Sequence, residues 1–241
     1  MLQSAVQRGK KMDIRIVHYP EGAASARGFA VVIDVFRAFS VACYAFERGA
    51  KQIVATHSLE IARALKQDHP QYLLMGERHA RKPPDFDFGN SPGELETADL
   101  SGKTLVHTTH AGTRALLAAR HAGHAITGSF VNAGAIAEYI RSHAPETIYL
   151  VCAGFEGRSE AMEDTLCAQY LKDLLLGGSP DFTSIPERLK TAPSGRRFFD
   201  PADPDSPEID FHMCLALDRF DFVIARTDTD VHTCVLEPRF I

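Results

Sequence analysis

Five short stretches of this chain set charged or hydroxyl side chains where an apolar run ends, the position at which α/β folds hold ligands. The first is Asp34-Val35-Phe36-Arg37, a carboxylate and a guanidinium behind the β-branched run Val31-Val32-Ile33. The second is Gly76-Glu77-Arg78, followed by a charged, proline-bearing loop that reaches Gly89-Asn90-Ser91-Pro92. The third, Thr108-Thr109-His110-Ala111-Gly112-Thr113-Arg114, and the fourth, Gly128-Ser129-Phe130-Val131-Asn132, place hydroxyls and free N–H groups at helix starts. Such starts suit an anion of phosphate size. The fifth is the richest: Cys152-Ala153-Gly154-Phe155-Glu156-Gly157-Arg158-Ser159, then Glu163-Asp164.

Each stretch also has a plain structural explanation. Asp34 and Arg37 could be an ion pair, Ser, Thr and Asn are ordinary helix caps, and Glu163-Asp164 could answer a helix dipole. The fifth stretch carries a rival chemistry as well. Cys152 and Arg158 have the C-x5-R-S spacing of cysteine phosphatases, in which a thiolate of depressed pKa attacks a phosphate cradled by N–H groups and arginine. Two residues count against it: Glu156 would put a carboxylate into the cradle, and Val151 stands where those enzymes usually have histidine. Other signals fail. The sequence holds no Walker A, GxGxxG or HExxH pattern, and Asp228-Thr229-Asp230 lies too near the end to be an aspartyl-phosphatase nucleophile, so a hairpin turn is expected there.

The elements that must position these groups are short. Apolar runs predict strands over 14–18, 29–35, 52–55, 72–75, 104–107, 125–127 and 147–152. Helical spacing predicts helices over 40–48, 59–67, 113–120, 133–143 and 165–176, the last stopped by Gly177-Gly178. That alternation predicts a largely parallel sheet with helices on both faces. After Gly178 prolines break the pattern; a helix over 209–217 and a closing hairpin of 222–225 with 231–236 would make the sheet mixed. Phe86 and Phe88 argue that the long loop before Asn90 is ordered, and so functional.

The chain has 241 residues, with Lys plus Arg 26, Asp plus Glu 31 and a net charge of −5. This gives no support to nucleic-acid binding, and no apolar run is long enough to span a membrane. The five scattered cysteines form no zinc spacing and read as reduced thiols of a cytoplasmic protein. Residues 1–11 are polar and basic, not a signal peptide, and are expected to be a disordered leader to one domain over 12–241. Homo-oligomerisation is left open.

In order and spacing, VVIDVFRAFS, GERHARKPPDFDFGNSP, TTHAGTRALLAA, GSFVNA and CAGFEGRSEAMEDTLCA resemble the 2-phosphosulfolactate phosphatase family, the ComB-type enzymes. The resemblance runs from about Ile14 to Leu176 and continues more thinly through GRRFF at 195–199. It implies a three-layer ComB-like α/β fold and a Mg²⁺-dependent phosphatase acting on a small anionic phosphorylated metabolite. On this resemblance the catalytic candidates are Asp34, Arg37, Glu77 and Glu163, and the metal candidates Asp34, Glu77, Glu163 and Asp164. The substrate-binding candidates are Arg78, Asn90, Ser91, Thr109, Gly112, Thr113, Ser129, Asn132, Glu156 and Arg158. Arginine suits bidentate contact with sulfonate, carboxylate and phosphate. The expected mechanism is attack by water, oriented by Glu163 or Glu77, on a metal-polarised phosphoryl group. His110-Ala111, Phe36, Phe39 and Ala161-Met162 depart from the family's usual residues and bear on substrate identity. A non-catalytic member that binds an anionic metabolite is the alternative of another class.

Overall fold

A computed structural model describes residues 12–241, so the expected leader lies outside the described residues. β2 (Phe29–Ile33) is buried along its whole length, as its β-branched run requires of a strand covered on both faces. It pairs in parallel with β7 (Thr147–Cys152) and β6 (His124–Gly128), and β1 (Asp13–His18) adds to β7. A second parallel set consists of β3 (Gln52–Thr56), β5 (Thr104–Thr108) and β4 (Leu73–Gly76). The antiparallel hairpin of β8 (Phe222–Thr229) and β9 (Thr233–Phe240) joins the sets, β8 against β6 and β9 against β3. The order is β1-β7-β2-β6-β8-β9-β3-β5-β4.

Those successive antiparallel junctions reverse one parallel set relative to the other. Even so, a Cβ on Gly112, just after β5, would lie 2.6 Å from Oδ2 of Asp34, just after β2. The sheet must therefore coil for the two sets of carboxyl ends to meet. The hairpin is suited to this: its register shifts between Arg226 and Asp228, and β8 meets β6 at the single registered pair Ile126–Ala225. A bulge increases local twist.

Helices cover both faces. On the inner side of the coil lie α1 (Tyr19–Ser25), α2 (Ala38–Glu47) and α4 (Gly112–Ala118). Ala23, Val41 and Leu116 of these helices share one core with Val32 and Val151 of the first set and Ile53 and Leu105 of the second. On the outer side, α5 (Ala133–His143) and α6 (Met162–Leu175) pack Ile136, Ile140 and Leu171 on Val31, Ile33 and Leu150. α3 (Leu59–Asp68) covers Leu74 and Val106 through Ala62. The predicted α/β class and mixed, mostly parallel sheet are what the chain adopts.

Some differences from the expected elements have identifiable reasons. The hairpin arms are longer than predicted, and the turn shifts to Asp230, whose Oδ1 accepts the N–H groups of His232 and Thr233 at 2.6 Å. α1, α7 (Ile185–Thr191) and α8 (Pro193–Arg196) lie where no helix was predicted, and each carries its proline in the first turn, where the missing N–H costs nothing. α6 begins at Met162 rather than Thr165, so Glu163 and Asp164 stand in its first turn. The loop before Asn90 is ordered as expected: Phe86 is buried, Asp87 Oδ2 accepts the N–H of Leu74 at 2.7 Å, and Phe88 bonds to Gly76 and Leu74. α9 (Glu208–Cys214) overlaps the helix expected over 209–217, starting one residue earlier and ending three residues sooner.

Candidate active site

Where the carboxyl ends of the two strand sets meet there is a cavity of about 750 Å³. Asp34 enters it from the end of β2, Glu77 from the turn after β4, and Glu163 and Asp164 from the first turn of α6. Asn90, His110, Glu156, Arg37, Ser194 and Arg197 also line it.

The four acids divide by what their oxygens do. Asp164 gives Oδ1 to the N–H of Val35 and Oδ2 to that of Gly154, each at 2.9 Å. Glu77 gives Oε1 to the N–H of His110 at 2.7 Å and Oε2 to that of Ala80 at 2.8 Å. These two carboxylates tie strand-end turns together. Asp34, by contrast, uses Oδ1 for the N–H of Ala38 at 3.1 Å, and Glu163 takes the Ser194 hydroxyl on Oε2 at 2.5 Å. Each is left with an oxygen that accepts no hydrogen bond from another of the described residues. Gly112 leaves the space that Asp34 Oδ2 occupies.

Burial pushes the Asp34 carboxyl up to about 7, with the nearby Glu77 and Glu163 adding to the rise against the Ala38 N–H. Burial likewise raises Glu163, and raises Asp164 well above the carboxylate range with Asp34 and Glu163 contributing. The charged forms lack solvation and repel one another.

The arginines divide too. Arg37 is buried and donates Nη1 to Asp210 Oδ2 at 2.5 Å. Asp210 also accepts from the Ser91 hydroxyl and the Gly93 N–H, both at 2.9 Å on Oδ1. Arg197 donates Nη2 to the Phe36 carbonyl at 3.2 Å, its Nε is buried without a partner, and no ion pair to it occurs among the described residues. Phe198 and Phe199, beside it, pack with Phe36 and Phe211, which seats the proline-rich segment against the cavity. Sequence reasoning missed Arg197 and Asp210; GRRFF was the signal for the former, and nothing local marked the latter.

Not every sequence candidate reaches the cavity wall. Ser91 serves Asp210. Thr109 and Thr113 bond to each other, with Thr113 Oγ1 donating to the Thr109 carbonyl at 2.9 Å. Ser129 meets the Ser40 hydroxyl at 2.6 Å, and Asn132 donates to the Phe222 carbonyl at 3.2 Å. Arg78 bonds to the His57 carbonyl at 2.6 Å and Thr108 Oγ1 at 2.7 Å, and lines a smaller neighbouring pocket with His57, His110 and Arg114. Arg158 is exposed and Cys152 buried, its thiol pushed up by burial. The buried, raised Cys152 thiol, the exposed Arg158 and the Gly154 N–H already given to Asp164 all count against the cysteine-phosphatase reading.

The family model for 2-phosphosulpholactate phosphatase matches residues 17–229. A relative from Thermotoga petrophila, "Probable 2-phosphosulfolactate phosphatase", is 36% identical over 217 residues, 88% of this chain and 86% of its own. One of the same name from Bacillus subtilis is 32% identical over 84% of this chain and 89% of its own. Another, from Caldicellulosiruptor saccharolyticus, is 43% identical over 157 residues, 64% of either chain. The matched span carries β2 to β8 and every acid of the cavity, and on that ground the chain belongs to the 2-phosphosulfolactate phosphatase family.

Proposed function

We propose that this chain is a Mg²⁺-dependent phosphoric monoester hydrolase that releases phosphate from a small, multiply anionic metabolite, with 2-phosphosulfolactate as substrate and sulfolactate as product. The observation that carries the reading is the burial of Asp34, Glu163 and Asp164 together beside a guanidinium, Arg197, with no ion-pair partner among the described residues. The wall also holds Glu77, Glu156 and Glu160, while Arg37 is neutralised by Asp210. An anionic substrate entering so acidic a cavity requires cations to accompany it.

The donor set fits Mg²⁺, which takes few protein carboxylates and completes its octahedron with water and phosphate oxygens. Asp34, with an oxygen left over, is the residue that would hold it. Bound there, the ion would supply Lewis acidity to the phosphoryl oxygens. Asp164 and Glu77 instead hold the strand-end turns in register. Arg197 binds the phosphoryl oxygens and stabilises charge developing on them. Glu163, whose carboxyl is raised by burial, orients the attacking water as a base. The relatives' names support the substrate, and the five buried free thiols support a reducing, cytoplasmic setting.

Phosphate release from 2-phosphosulfolactate by chelator-treated protein, with and without Mg²⁺, tests this. Turnover should appear with the ion and survive Cys152→Ser. Turnover indifferent to the metal, or binding of the substrate with no phosphate released, overturns the reading.

A further inference from the structure

The cavity holds a second set of donors, chemically unlike the deep acids. His79, His110 and Glu156 each offer a ligand atom, and these atoms lie within 4.8 Å of one another. They come from three separate segments: the turn after β4, the start of the loop after β5, and the loop after β7. Glu156 Oε1 is 2.9 Å from His79 Nδ1, and the two imidazole rings are 4.9 Å apart at their centroids. His110 Nδ1 is buried and has no hydrogen-bond partner among the described residues.

The convergence is braced from below. Glu77 accepts the N–H of His110 on one oxygen and that of Ala80, next to His79, on the other. One carboxylate thus fixes both histidine-bearing turns. We propose that His79, His110 and Glu156 form a binding site for a borderline transition-metal cation of the Zn²⁺ type at the mouth of the cavity. Imidazole nitrogen selects Zn²⁺, Co²⁺ or Ni²⁺ over Mg²⁺, which prefers oxygen. Two imidazoles and a carboxylate form a three-ligand set that leaves further coordination positions open, as catalytic zinc sites do. Zn–N bonds of about 2.0–2.1 Å require the donors to draw inward; the His79 side chain, 72% exposed, is free to do so. A cation here offsets the acidic wall of the cavity that it shares with Asp34. The site stands on its own donors and does not depend on the deep acids holding Mg²⁺ or on any phosphatase activity.

Untagged, chelator-treated protein titrated with Zn²⁺ against a chromophoric chelator tests it, with the visible spectrum of added Co²⁺ as a second readout. With Mg²⁺ present in large excess for the deep acids, the expected result is one Zn²⁺ per chain and a Co²⁺ spectrum of nitrogen-containing, low-coordinate type. His79→Ala, His110→Ala and Glu156→Gln should each weaken Zn²⁺ at least ~10-fold, whereas Glu163→Gln should leave its affinity within about twofold, since Glu163 is outside the donor set. His79→Ala alters an exposed ring, so its folding is not in question, and thermal melts check the other variants. Absence of Zn²⁺ binding, binding indifferent to all three substitutions, or binding lost only with Glu163→Gln overturns the proposal.

Discussion

Arg37 and Arg197 line the same cavity, yet Asp210 holds the first while the second has no ion-pair partner among the described residues. Arg197→Ala should therefore lower kcat/KM on a phosphorylated substrate by roughly 10²–10³, the scale of losing one preorganised donor to developing charge. Arg197→Lys should recover only part of it, because the planar fork is lost. Steady-state kinetics on protein with an unchanged melting curve checks both. Asp34 makes a second residue-scale prediction. Its folded pKa, raised to about 7 from an ordinary carboxylate value, means that the metal-free native state keeps a proton which the unfolded chain releases near pH ~4. The contribution of Asp34 to the stability of the metal-free protein is then fully present below pH ~4 and is lost as pH rises through about 7. Asp34→Asn should flatten that decline and raise the metal-free melting temperature at pH 7.5. Mg²⁺ should stabilise the wild type most at the alkaline end. Melting curves across pH, with chelator or Mg²⁺, would show whether the slope has this sign.

At the scale of elements, the site is made by turns that carboxylates tie together. Asp210, on α9, binds Arg37 after β2, Ser91 in the long loop and the Gly93 N–H in one buried cluster. Asp210→Asn keeps the shape and removes the charge, leaving the Arg37 guanidinium buried and uncompensated. A loss of about 3–5 kcal/mol is expected, measured by urea unfolding. Much of this level was legible in the sequence. Val31-Val32-Ile33 marked the central strand, and the five strand-end stretches marked the turns. The sequence did not reveal which polar residues serve ligand and which serve backbone. Thr109 and Thr113 look like an anion site in sequence and turn out to bond to each other. Arg78, as prominent as Arg197, is turned toward a neighbouring pocket.

For the molecule as a whole, everything depends on the coil of the sheet through β8 and β9. Leu236 on β9 is fully buried in the core that also holds Val32 and Val151 of one strand set and Leu105 of the other. Leu236→Ala should cost about 2–5 kcal/mol, and hydrogen exchange should show amides of β5 and β7 losing protection together. Loss confined to one set would mean that the sets do not unfold as a unit. The sequence by itself determined the class of fold, the order of the strands' chemistry-bearing ends and the family, because periodicity and motif spacing are local properties of the chain. Tertiary structure alone decided which of those ends meet and what each side chain does there. Asp34 and Glu77 are 43 positions apart and stand after strands of reversed direction, and only the twisted hairpin brings them into one cavity. Nor does spacing show whether a carboxylate's oxygens are taken by N–H groups or left open, because that depends on groups folded against it from distant segments.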